Sequence, residues 1–113
     1  MAGLTDRLMK STATWKHAVS AATTTLAIWT PRTSASIYLT GLDISAQGTA
    51  TGTLSIFFST STNTRGNQVA IYNLSTTTVI TPRFSGLIGG LDVPLNVHSN
   101  ATGMAITAYG FEE

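Results

Sequence analysis

From residue 12 onward, apolar and polar positions alternate with a period of two, in short runs separated by Gly, Pro, Asn and Ser. Successive side chains of a strand point to opposite faces, so this alternation predicts half-buried β-strands. The run TATWKHAVS sets Ala13, Trp15, His17 and Val19 against Thr14, Lys16 and Ala18. Trp15 reads there as a core residue. TTLAIWT follows, with Leu26 and Ile28 opposite Ala27 and Trp29, and Pro31 closes it. In SASIYLTGLDIS, Ile37 and Leu39 share a face. Gly41 is expected to mark a bulge that re-phases the strand and returns Leu42 or Ile44 to the interior.

The second half repeats the pattern. Leu54, Ile56 and Phe58 of TLSIFFS point one way, and Phe57 must point the other. After a polar loop, Thr60 to Asn67, QVAIYNL opposes Val69, Ile71 and Asn73 to Ala70, Tyr72 and Leu74. TTTVITPRF predicts a strand broken near Pro82, and SGLIGG a glycine-rich corner. LDVPLNVHS places Pro94, which cannot donate to a ladder, at an edge or just before a strand beginning at Leu95. GMAITAYGFE alternates Met104, Ile106 and Ala108 with Ala105, Thr107, Tyr109 and Phe111.

About eight short strands at even spacing predict an all-β fold: a single compact antiparallel β-sandwich, jelly-roll-like rather than immunoglobulin-type. The sandwich is expected over residues 12–113. Residues 1–11 read as a short N-terminal helical arm, with Leu4 and Leu8 one turn apart and Thr5 and Asp6 able to cap and charge the first turn. So short a helix needs packing from elsewhere, and a neighbouring subunit is the expected source.

Composition narrows the function. The 113 residues allow one domain. Only 10% are charged and the net charge is +1, so the clustered Lys and Arg of a nucleic-acid footprint are missing. Weak repulsion between copies permits their close approach, as it also would in a simple neutral β domain. Met1 to Ser20 shows no apolar signal segment, and Leu26 to Trp29 is far too short to span a bilayer. Synthesis in a cytoplasm without membrane insertion is the resulting expectation.

Catalytic chemistry finds little material. There is no cysteine, and the two histidines, His17 and His98, lie in different strands. A transition-metal site needs three or four convergent ligands, so no metal or other cofactor is expected. Serines abound, yet none sits in a nucleophile-elbow motif. Asp43 and Asp92 are the only mid-chain carboxylates available for paired acid-base work. Gly89-Gly90 fits no phosphate-binding frame. The expectation is a protein that is not an enzyme.

Aromatics offer another kind of site. Trp15, Trp29, Tyr38, Tyr72 and Tyr109 would make a carbohydrate platform if several lay exposed on one sheet face. Ordinary core and interface packing is the preferred reading. Apolar residues on both faces of SIYL and SIFF need cover outside as well as inside, and a contiguous outer patch marks an interface. The candidate interface set is Leu4, Leu8, Tyr38, Phe57, Arg65, Tyr72 and Tyr109, with Phe57 alternatively packed beneath the arm.

The short arm, the SIYLTGLDIS and TGTLSIFFS strands and the ending LNVHSNATGMAITAYGFE resemble small single-domain β-sandwich virion proteins of tailed bacteriophages. Head-decoration (cement) and minor capsid proteins are of this kind. The resemblance implies a structural protein that stabilises a particle through protein–protein contacts. It implies homo-oligomers, trimers favoured, a major capsid or other virion protein as partner, and a virion location after synthesis in the host cytoplasm. The alternative is a carbohydrate-binding or adhesin-type module, and a third possibility is a subunit of another homomeric β assembly.

Overall fold

The computed structural model describes residues 14–46, 51–60, 68–75 and 78–113. These form nine strands and no helix: β1 (Thr14–Val19), β2 (Thr24–Trp29), β3 (Ile37–Ala46), β4 (Gly52–Phe58), β5 (Gln68–Leu74), β6 (Val79–Ile80), β7 (Arg83–Ile88), β8 (Leu95–Ser99) and β9 (Met104–Glu112). No helix among them is long and apolar enough to cross a membrane. The expected helical arm, with Leu4 and Leu8, lies outside the described residues, as does Arg65.

Two antiparallel sheets account for all nine strands. One runs β1-β9-β3-β6, with β7 also paired to β3; the other runs β2-β8-β4-β5. A single apolar cluster joins them. The first sheet supplies Ile37, Leu39, Leu42, Ile44, Met104, Ile106 and Ala108 to it. The second supplies Ile28, Trp29, Leu54, Ile56, Phe58, Leu74, Leu95 and Val97. The described chain is therefore all-β, with both sheets contributing buried apolar residues to one common cluster.

Gly41 re-phases β3 as its sequence suggests. The register against both β7 and β9 shifts between Leu39 and Gly41, and Leu42 and Ile44 are both fully buried. Without the shift, Leu42 would share the face of Thr40 and leave the core. A second shift, between Ala27 and Trp29, lets Ile28 and Trp29 both be buried although they are adjacent. Pro82 divides the expected strand into β6 and β7, both on the same edge of β3. SGLIGG is not wholly a corner, because β7 continues through Ile88 and pairs with Tyr38. β8 begins at Leu95, directly after Pro94, and lies between β2 and β4.

Trp15 overturns its reading as a core residue: it is 65% exposed. The alternation in β1 is real, but the faces are inverted. Ala18 pairs with Ile106 and packs on the core, whereas Trp15, His17 and Val19 are exposed. Among the described strands β1 pairs only with β9, and Ala18 is the β1 residue that packs on the core.

Candidate functional site

The outward face of the first sheet carries most of the chemistry. Register fixes which residues are neighbours there. Across β1, β9 and β3, Trp15 pairs with Tyr109 and Tyr109 with Gly41; His17 pairs with Thr107 and Thr107 with Asp43; Val19 pairs with Ala105 and Ala105 with Ser45. Arg83 of β7 lies beyond Gly41, and Val79 of β6 beyond Ser45. At the other end of the face, Tyr38 pairs with both Phe111 and Ile88.

Asp43 is the hub. The Tyr109 hydroxyl donates to its Oδ2 over 2.6 Å, and Arg83 Nη2 donates to its Oδ1 over 3.3 Å. The Tyr109 hydrogen bond, with the hydrogen bond and charge of Arg83, outweighs desolvation and holds the Asp43 carboxyl below its ordinary value. The same bond raises the Tyr109 phenol, because losing its proton would set two negative charges together.

Glycine makes this arrangement possible. A Cβ at Gly41 would stand 2.8 Å from Arg83 Cδ, so a bare backbone there lets the Arg83 stem lie across the sheet. Its guanidinium carbon then rests 5.8 Å from the Tyr109 ring centroid, and its Nη1 donates to the carbonyls of Leu42 and Pro82.

Beside this network the sheet is hollow. Ala105 and Ser45 are small, and with His17, Val79, Thr81 and Thr107 they line a shallow, open depression of about 400 Å³ with Asp43 in its wall. His17 Nδ1 and Thr107 Oγ1 lie 3.0 Å apart, a hydrogen bond that fixes the imidazole at the rim.

At the far end the Tyr38 and Phe111 rings stack, with centroids 4.8 Å apart and planes 11° from parallel. Ile88 beside them is 50% exposed, and Leu91, just past β7, is also exposed.

Of the sequence-selected interface residues, Tyr38 and Tyr109 do share this outward face. Phe57 pairs with Asn96 on the side of β4 away from Leu54, Ile56 and Phe58, yet it has no exposed surface. Ser55 and Asn96 on that same outward side are buried as well. Tyr72 pairs with Leu54 and packs on the core cluster, where burial raises its phenol. It is inward because it shares the parity of Leu74, which closes the rim of edge strand β5. Trp29 is buried in the core, so the aromatics sharing the outward face of the first sheet are Trp15, Tyr38, Tyr109 and Phe111.

His17 and His98 belong to different sheets, and each bonds a threonine: Thr107 for His17 and Thr25 for His98. Among the described residues no three of His, Cys, Asp and Glu converge as a metal site would require. Sequence reasoning missed the Asp43–Tyr109–Arg83 network. The parity of Thr107 and Tyr109 was visible, but nothing in the chain indicates that β9 lies between β1 and β3. Comparison with protein-family models and with curated proteins finds no match for this chain.

Proposed function

We propose that the protein is a structural jelly-roll subunit of a virus particle, of the capsid-decoration or minor capsid type, acting through protein–protein contacts rather than catalysis. The strand order carries this reading. Joining β6 and β7 as one broken strand gives eight positions, arranged first-eighth-third-sixth in one sheet and second-seventh-fourth-fifth in the other. That order supports two interleaved Greek keys, the jelly-roll arrangement that recurs in viral capsid domains. The inference from fold to role is by analogy.

The apolar end of the outward face supports self-association. Tyr38 and Phe111 stack half-buried beside Ile88, which is exposed, and Leu91 adds to the exposed apolar area. Apolar surface exposed in contiguous patches marks interfaces. Low charge density keeps repulsion between copies weak. In this reading a homo-oligomer, a trimer favoured, seats on a major capsid or other virion protein.

Two measurements test it. Native mass spectrometry at micromolar concentration should give an oligomer, dissociated by Ile88→Asp without loss of fold. Proteomic analysis of purified particles should find the protein in them. A stable monomer, or absence from particles, would overturn the reading.

A further inference from the structure

We infer that the hollow on the outward face of the first sheet is a binding site for a neutral carbohydrate, with Asp43 in its wall as the central acceptor and Trp15, outside its lining but on the adjoining row of the same face, as the stacking platform. The inference goes beyond the structural role proposed above and does not rest on it. Three observations converge.

The first is shape. Small side chains at Ala105 and Ser45 leave an open depression among His17, Val79, Thr81 and Thr107, and its volume of about 400 Å³ lies within the range of small-molecule sites. Sheet strands hold the depression rigidly, since β3 and β9 run side by side in register along its length.

The second is the polar set. Asp43 is kept ionised and fixed in place by Tyr109 and Arg83. Those two bonds use two of about four acceptor positions on a carboxylate, leaving capacity for ligand hydroxyls. His17, Thr107, Ser45 and Thr81 add short donors and acceptors around the same space. Vicinal hydroxyls of a sugar ring match such a cluster.

The third is the combination of charge and aromatic surface. Arg83 offsets Asp43, so the pair presents no net formal charge and favours neither an anion nor a cation. One carboxylate and one imidazole fall short of a metal site. Trp15 stands two residues from His17 on the same exposed face, beside Tyr109. Its indole is an apolar plane with a polar edge, suited to the C–H face of a pyranose. A ligand with one apolar face, many hydroxyls and no charge is a neutral sugar.

The test is titration of the full-length chain with glucose, galactose, mannose and N-acetylglucosamine at tens of millimolar, followed by two-dimensional NMR. A neutral-oligosaccharide array accompanies it. At least one sugar should shift the resonances of the Trp15 indole, His17 and Thr107. Trp15→Ala and Asp43→Asn should each weaken binding by about tenfold or more while leaving the melting midpoint close to that of the parent chain. Ile71→Ser, on the exposed side of the other sheet, should bind as the parent does. If Asp43→Asn lowers the midpoint, His17→Ala serves as the second variant, with the same expected weakening. No binding to any sugar, shifts confined to other surfaces, or binding indifferent to Trp15→Ala would overturn the inference. Absence from virus particles would refute the structural role and leave this site untouched.

Discussion

The Trp29 indole N–H donates to Glu112 Oε2 over 3.0 Å, joining β2 of one sheet to β9 of the other at the edge of the core. The other carboxylate oxygen accepts the backbone N–H of Arg32 at 2.7 Å. Ser36 and Glu113 exchange a backbone pair next to it. One carboxylate thus fastens the end of the chain to the β2–β3 connection. Replacing Glu112 by Ala strands a buried indole donor and should cost about 1–3 kcal/mol in chemical denaturation.

The same contact predicts a pH effect. Burial opposes ionisation of Glu112, but the Arg32 N–H, the Trp29 indole and the charges of Arg32 and Lys16 outweigh it and hold the carboxyl below its ordinary value. A depressed folded-state pKa means stability present above the unfolded value, near 4.5, and lost as pH falls through the lower folded value. Melting curves should show a steeper acid-side loss in the parent chain than in Glu112→Gln. Equal slopes would refute the assignment.

Tyr109 and Asp43 should each shift the other's titration. Tyr109→Phe removes the strongest influence lowering Asp43, so its carboxyl resonance should titrate at higher pH. Asp43→Asn should conversely bring the Tyr109 phenol down towards its ordinary value, read by ultraviolet absorbance. Unchanged titrations would show that the hydrogen bond is not kept in solution.

Close approach of β9 to β3 depends on Gly110. A Cβ there would fall on the Tyr38 carbonyl oxygen, which is backbone and cannot turn aside. Gly110→Ala should lower stability by about 1–3 kcal/mol, the usual cost of overpacking. Denaturant midpoints with an unchanged slope would measure it.

Neighbouring isoleucines on β4 and β5 should behave oppositely. Ile56 is fully buried in the core cluster and Ile71 is largely exposed on the outward side. Ile56→Ala should cost about 2–5 kcal/mol and Ile71→Ala within about 0.5 kcal/mol. Phe57→Ala should resemble the first, at about 3–5 kcal/mol, because Phe57 is buried although it faces away from that cluster.

The sequence by itself determined the strands and much of the core. Period-two alternation placed Leu54, Ile56 and Phe58 on one face of β4, and Met104, Ile106 and Ala108 on one face of β9, because strand geometry ties parity to direction. Gly41 announced its bulge, and Pro82 and Pro94 their breaks, since each acts through local backbone constraints. Parity cannot say which face is inward on an edge strand, and so Trp15 was placed on the wrong side. Nor can it order the strands. The Asp43–Tyr109–Arg83 network and the hollow beside it exist only because β9 lies between β1 and β3 with β6 and β7 beyond. Those neighbours are far apart in the chain, and long-range packing of the two sheets around a common core brings them together.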